Sequence, residues 1–394
     1  MKIAFYAPMK PPDNPEPSGD WRVARLLWRA LGTNQQEVFL ASRFRSWDAS
    51  GDARRQQRLQ RIGKHRAHKL ISLFRQRPPK QRPAVWVTYH LYHKAPDWIG
   101  PAVTTALEIP YLVVEASHSS KQENGRWSLG YAAAADAIQK ADTVIALNSN
   151  DLPGINRLRN EGVVLMRPFV ELPRLPVKPL ASELRTRLAK QHGIPHDQPW
   201  LITVAMMREI SKLASFRLLA NALDTVSDCP WTLMVIGDGS ARSQVFESFA
   251  ALPKQRVHFL GELGGEQINQ WLSASDLLVW PAVGEAYGMA LLEAHACGVP
   301  VIAGRSGGVG DIVEHGQTGL LVEHDAGAFG NAVRSLLNNP NRCAQMGRQA
   351  RRKVEALHDI ATARVTLQEV INQAVARRST TRSRVPVRGS ISLG

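Results

Sequence analysis

No stretch of this sequence reaches the roughly 18 uninterrupted apolar residues that a membrane-crossing helix needs. The first residues, Met1 to Tyr6, lack the longer apolar run and small-residue cleavage site of a signal peptide and read instead as a buried strand. Cysteine is scarce. Cys229, Cys297 and Cys343 stand far apart, with no CxxC pair and no histidine at ligand spacing, so a disulfide framework is excluded and no metal site is expected. Reduced, packed thiols fit a cytoplasmic protein. No G-x-G-x-x-G follows the first strand, which disfavours dinucleotide redox chemistry. Acid is short of base, 34 Asp and Glu against 49 Lys and Arg, leaving a net charge of +15. Such a field favours phosphates, anionic membranes or nucleic acid and says nothing about fold. A nucleic-acid partner is not expected, because no binding module or row of interleaved surface aromatics accompanies the charge.

What is present fills two domains. The 394 residues are 44% hydrophobic and 21% charged, ordinary for globular protein. Short apolar or β-branched runs at 2–7, 84–89, 110–116, 142–148, 200–206, 231–236, 256–260, 276–280 and 300–303 alternate with helix-length segments. That rhythm predicts an α/β protein with parallel sheets and helical crossovers. Six prolines between Pro168 and Pro199 interrupt it, marking a hinge with one short helix around 181–191. The expected division is a first domain over 1–172, a linker over 173–198, a second domain over 199–360 and a helix over 361–376. A disordered basic tail would follow over 377–394, where five arginines meet no acid.

The densest chemistry lies in Trp280-Pro281-Ala282-Val283-Gly284-Glu285-Ala286-Tyr287-Gly288-Met289 and the helix that follows, through Glu293. A strand ends in a Pro/Gly loop and a helix begins near Gly288. The free N–H groups of a helix start can receive a diphosphate at Tyr287, Gly288 and Met289. Carboxylates at Glu285 and Glu293 can accept hydrogen bonds from sugar hydroxyls. Two glutamates eight apart carry little weight alone, and one in a first turn can simply complement the helix dipole.

With Ala294-His295-Ala296-Cys297-Gly298-Val299-Pro300-Val301-Ile302 behind it, this pattern resembles the donor-site signature of the family 4 (group 1) retaining glycosyltransferases of the GT-B fold. Ser306-Gly307-Gly308, Gly316 to Val322, Val235-Ile236-Gly237-Asp238-Gly239 and Phe259-Leu260-Gly261 match in order. The resemblance is strong from 200 to 325 and looser over the rest of 1–375. It implies two Rossmann-like domains facing each other across a donor/acceptor cleft, and a UDP- or GDP-sugar as donor substrate with no cofactor. Arg208 and Lys212, past a strand end, would hold the diphosphate and neutralise its charge on departure. Here Met206-Met207 replace the usual glycine. Gly237 would lie in the donor site. Glu293 would contact the nucleotide and Glu285 the transferred sugar. In the first domain Gly19, in place of a glycine pair, would approach the phosphate at a helix start, with Ser18 as an alternative plain cap. His118, at the end of strand 110–116, would contact the sugar near its anomeric carbon; Lys121, Arg126 and Trp127 would line the acceptor side.

The implied reaction is front-face transfer of a hexose-type sugar with retention. No Asp-x-Asp metal clamp is present, and no carboxylate pair of the glycosidase kind is evident. The acceptor would be a saccharide or lipid-linked saccharide, as in cell-surface polysaccharide or lipopolysaccharide synthesis. Between 54 and 82 lie 11 Lys and Arg and no acid, with Leu59, Ile62, Leu70, Leu73 and Phe74 interleaved at loosely helical spacing. This segment can be read as a peripheral contact with an anionic inner membrane face, or as a helix whose apolar stripe joins the core. Competing readings are a sugar-nucleotide epimerase or a phosphorylase on the same scaffold, and a basic nucleic-acid-binding protein.

Overall fold

The computed structural model describes residues 1–16, 18–174 and 180–383. The chain divides into two compact units, residues 1–166 with 361–394, and residues 167–360. Each unit holds one six-stranded parallel sheet, and the sheets read as expected for doubly wound α/β domains.

In the first unit the strands are β1 (Lys2–Tyr6), β2 (Glu37–Ser42), β3 (Val85–Leu91), β4 (Tyr111–Ala116), β5 (Thr143–Ala146) and β6 (Val163–Leu165), ordered β2-β1-β3-β4-β5-β6. The chain winds from β1 out to β2, then crosses back to β3 and continues the other way, so the switch point lies between β1 and β3. Central strands are covered on both faces. Val85, Trp86, Val87 and Leu112 through Val114 are wholly buried, as parallel strands with helices on both sides require. The edge strands β2 and β6, which the sequence reading passed over, are only partly buried or exposed and carry a weaker apolar signal.

The second sheet uses β7 (Trp200–Val204), β8 (Thr232–Ile236), β9 (Val257–Gly261), β10 (Leu277–Trp280), β11 (Val301–Gly304) and β12 (Gly319–Val322). Its order is β12-β11-β10-β7-β8-β9, with the switch point between β7 and β10. Helix Leu180–His192 falls where the hinge helix was expected and packs in this unit. Its Arg185 donates to Asp276 at 2.9 Å and to the Gln198 carbonyl at 2.6 Å, and lies over the Trp200 ring. Residues 175–179 of the expected linker lie outside the described residues.

Helix Ile360–Ser383 returns to the first unit. Gln368 exchanges hydrogen bonds with Gln36, and Arg378 makes a two-pronged bond to Asp142 at 2.9 and 3.0 Å. The chain therefore stays helical through 383, seven residues into the expected tail; residues 384–394 lie outside the described residues. The basic helix Ala53–Gln76 buries Gly63, Ala67 and Phe74, and packs Leu59, Ile62, Leu70 and Ile71 against the core. A Cβ on Gly63 would fall 2.3 Å from Trp98, so the helix is seated tightly. Its apolar stripe is thus spent on the core, with Leu73 left 43% exposed among the basic residues.

Candidate active site

In the second unit, β10 runs into the loop Pro281–Gly288, which ends at helix Met289–Ala296. Gly288 caps that helix from the left-handed region, φ 77° and ψ 62°, where a side chain would be strained. The loop is held from two sides. Val283 N–H donates to Ser215 Oγ at 2.9 Å, and Gly308 N–H donates to the Ala286 carbonyl at 2.7 Å. A Cβ on Gly307 would meet the Glu285 carbonyl at 2.2 Å, so the turn after β11 must be glycine to lie this close.

This clamp fixes Glu285 beside helix Ser211–Asp224. Lys212 Nζ donates to Glu285 Oε2, the Trp280 indole N–H donates to the same oxygen at 3.2 Å, and the ammonium lies 5.3 Å from the Trp280 ring centroid. Residues 73 apart in sequence are thereby joined at the carboxyl ends of β7 and β10, the switch point of the sheet, where ligands of such folds bind. Arg208 stands exposed in the loop after β7, three residues before that helix. Between the two cations, Ile210 adopts φ 66° and ψ −109° and is 85% exposed, a strained backbone for a β-branched residue.

Met206 and Met207 occupy the position where a glycine was expected, and the glycines that follow β8 pack closely against this segment. A Cβ on Gly237 would fall 1.9 Å from the Ala205 carbonyl, and one on Gly239 would fall 2.3 Å from the Met207 carbonyl. Both glycines have positive φ, 139° and 152°. Ala205 N–H bonds to Ile236 and Met207 N–H to Asp238, so the loop carrying Arg208 is zipped onto these glycines. Gly237 is thus packed against backbone. Tyr287 and Glu293 are buried, Glu293 to 5% exposure within its helix, and Met289 opens that helix.

In the first unit, Ser18 caps helix Gly19–Leu31, accepting from Trp21 N–H at 3.2 Å; beside Gly19 a Cβ would meet nothing within 4 Å. His118 is half-buried just past β4, stacked on Tyr131 with centroids 4.7 Å apart. A Cβ on Gly154 would fall 2.0 Å from the His118 carbonyl. Burial lowers the pKa of this imidazole, which favours its neutral form. Lys121 and Arg126 are exposed, whereas Trp127 is half-buried and anchored by its indole N–H on the Asp48 carbonyl at 3.0 Å. His93 meets the Trp127 ring edge-on at 5.6 Å, and Lys94 lies over it at 4.4 Å.

Sequence reasoning brought out Glu285 and Lys212 without foreseeing their pairing, and passed over Trp280 as a partner. A large aromatic closing a buried strand immediately before a Pro/Gly loop was the available signal. It also passed over Asp20, His90, Glu115 and Asp151 in the first unit. His90 and Glu115 are non-glycine residues with positive φ, 59° and 61°, a property that residue identity does not announce.

Residues 198–339 match the family described as glycosyl transferases group 1. Among curated relatives, a D-inositol 3-phosphate glycosyltransferase of Streptomyces avermitilis is 30% identical over 236 residues, 55% of this chain and 49% of its own length. An N-acetyl-alpha-D-glucosaminyl L-malate synthase of Bacillus anthracis is 30% identical over 171 residues, 43% of this chain and 44% of its own. The chain thus spans about half the length of these relatives. The crystal structure of Anabaena HepE in complex with UDP and glucose superposes with a TM-score of 0.70 at 17% identity, covering 94% of this chain and 99% of that one. Sucrose-phosphate synthase from Thermosynechococcus elongatus gives 0.69 at 19% identity, with 95% and 99% covered. The fold is GT-B, and the family match over the second unit supports a group 1 glycosyltransferase.

Proposed function

We propose that the chain is a retaining, metal-independent glycosyltransferase of family 4 that moves a hexose-type sugar from a UDP- or GDP-sugar to a saccharide or lipid-linked acceptor. The observation that carries this reading is the Lys212–Glu285–Trp280 constellation at the β7/β10 switch point, next to the start of helix Met289–Ala296. A diphosphate placed at that helix start takes up its N–H groups, while Arg208 and Lys212 supply the positive charge that stabilises it as it leaves. Glu285 orients the ammonium of Lys212 and presents its second oxygen to a sugar hydroxyl. Glu293 serves the nucleotide. His118, neutral and stacked, donates or accepts a hydrogen bond at the transferred sugar. The leaving diphosphate oxygen takes the acceptor's proton, so no protein base is required. HepE is crystallised with UDP-glucose, which makes that the first donor to try.

A thermal-shift screen of UDP-, GDP- and ADP-sugars tests the reading directly. Stabilisation by one of them is expected, and stabilisation by none would sink it. With a donor in hand, Glu293→Ala should weaken nucleotide binding, whereas Glu285→Ala should chiefly slow transfer.

A peripheral place at an anionic membrane, suited to cell-surface polysaccharide or lipopolysaccharide synthesis, belongs to the same proposal. Because the apolar stripe of helix Ala53–Gln76 is packed inward, contact would be electrostatic, through exposed Arg54, Arg55, Arg58, Arg61, Lys64 and Lys69. Sedimentation with phosphatidylglycerol vesicles should then fall steeply with salt. Sedimentation indifferent to anionic lipid would remove the membrane from the picture.

A further inference from the structure

The sheet of the second unit ends in two unlike edges. β12 is buried over residues 319–321. β9, at the other end, is half-exposed at every residue from Val257 to Gly261, and among the described residues no strand lies beyond it. A strand with one neighbour turns every second N–H and C=O away from that neighbour, so an open edge offers a row of backbone groups to another chain. The register with β8 adds to the row. Val235 pairs with Phe259 and Ile236 with Gly261, which leaves Leu260 without a partner in β8. Edges are commonly blunted by lysine or proline. The run Val257-His258-Phe259-Leu260-Gly261 holds neither.

Aromatic surface lies at this edge. Phe246, on helix Arg242–Ser248, stacks on Phe259 with centroids 3.8 Å apart and planes 14° from parallel. Phe249 meets Phe259 edge-on at 5.9 Å, and the Arg242 guanidinium lies 5.2 Å from the Phe246 ring centroid. Phe249 is buried, whereas Phe246 is left 37% exposed and Phe259 half-buried. The two stacked rings thus present apolar surface beside unpaired backbone.

Charges flank the strand at equal distances. Arg256 precedes β9 and Glu262 follows it, each three residues from Phe259. Arg256 uses Nη1 alone for its hydrogen bonds, donating to the Ser227 and Cys229 carbonyls at 2.9 and 3.0 Å, with its guanidinium 5.0 Å from the Trp231 ring centroid. Its Nη2 is left for a carboxylate. Glu262 is exposed and has no hydrogen bond or ion pair among the described residues, in a chain where bases outnumber acids 49 to 34.

This edge is complementary to itself. When an identical strand lies antiparallel across a two-fold axis at Phe259, Phe259 faces its own copy, His258 faces Leu260 and Val257 faces Gly261. Arg256 then faces Glu262 of the second copy, and symmetry makes the pair twice. Moving the axis one residue back, to His258, sets Arg256 against Leu260 and loses that match. We infer that β9 is a dimerisation edge whose partner is a second copy of this chain. Two copies join antiparallel through β9 into one continuous sheet, with Phe246 and Phe259 of both copies at its centre and an Arg256–Glu262 ion pair at either end. The transferase reading is not involved, since none of the residues assigned to the donor takes part.

Sedimentation velocity of the full chain over about 1–100 μM, the range in which an interface of modest size associates, tests this. The chain should pass from monomer to dimer. Glu262→Arg and Phe246→Ser should each raise the dimer dissociation constant about tenfold or more. Arg256→Glu should do the same, and an equimolar mixture of the Glu262→Arg and Arg256→Glu chains should recover the dimer, because every arginine then faces a glutamate. A second measurement avoids Arg256, which also holds the loop before β8. Under diamide, Phe259→Cys should give a disulfide-linked dimer, since residues facing across the axis are close, whereas His258→Cys should not. The native cysteines are all buried, so the unmodified chain is the control. A chain monomeric throughout overturns the inference. So does a dimer indifferent to Glu262→Arg and Phe246→Ser, or one that fails to cross-link at position 259. Folded charge variants that do not recover the dimer on mixing would overturn the Arg256–Glu262 pairing.

Discussion

The two units carry the same device in different charge settings. Each has a doubly wound sheet, and at each switch point a carboxylate is joined to a cation from the neighbouring strand end: Lys212 with Glu285 in the second unit, His90 with Asp20 in the first. Before the second pair, Arg208 and Glu209 both stand exposed in the loop after β7. Around the first the surplus is acidic, with Glu115 and Asp151. In folds of this kind the strand ends are where a ligand can sit, and a handful of residues there decides which charge suits it. The cations also differ in kind. Lys212 lies over an indole ring, whereas His90 is a titratable group held charged by three acids.

The sharpest way to break this comparison is to remove the cation of the second unit. Lys212→Ala should lower kcat for sugar transfer by about 10²–10³, because the charge acts where negative charge develops. A loss of less than threefold in steady-state transfer would show that the pair is structural.

Next in size are the packing glycines. Gly237→Ala places a methyl group 1.9 Å from the Ala205 carbonyl at φ 139°. It should destabilise by about 2–4 kcal/mol and displace the Arg208 loop. Chemical denaturation measures this, and an unchanged midpoint would refute the zipped arrangement.

The two units should also respond to pH with opposite sign. In the second, burial first, then the charges of Lys353 and a neighbouring histidine or Arg167, depress His295 to about 3 and His358 to about 4, from 6.5. Their contribution is complete above about pH 6.5 and is lost as pH falls toward those values, because the unfolded chain binds the protons first. In the first, His90 is raised to about 9, so its contribution is complete below 6.5 and is lost as pH rises through 9. Denaturation at pH 5, 7 and 9 should show a loss of a few kcal/mol on the acid side, removed in part by His295→Asn, and a smaller loss on the alkaline side, removed by His90→Asn. A flat profile would contradict both assignments.

The smallest effect expected is at Ile210. Ile210→Gly should relieve its positive φ and leave stability equal or better by about 1 kcal/mol. If the strain aims Lys212, the same change should lower transfer. A gain in stability with unaltered transfer would assign the strain no role.

Legibility followed locality. The central strands could be read from continuous apolar runs because burial on both faces leaves little choice of residue. Edge strands β2 and β6, half covered, blurred into their surroundings. The loop and helix from Pro281 to Glu293 were legible because a strand end, a Pro/Gly turn and a helix start lie within a dozen residues. The reach of helix Ile360–Ser383 was not, since its last turn is helical where the sequence offers arginines and threonines, and its Arg378 finds Asp142 some 236 residues away.

By itself, then, the sequence determined two α/β domains, the Pro/Gly loop that runs from β10 into a helix start, and the choice of Glu285 and Lys212 as candidates. Local pattern and backbone chemistry suffice for each. Tertiary structure alone decided that Lys212 and Glu285 meet, that Gly237 and Gly239 pack against the backbone of Ala205 and Met207, and that four strand ends gather Asp20, His90, Glu115 and Asp151. It also turned the apolar stripe of the basic helix inward. The reason is the parallel sheet, whose crossovers bring every strand's carboxyl end to one edge, so residues scattered along the chain become neighbours only when the sheet has formed.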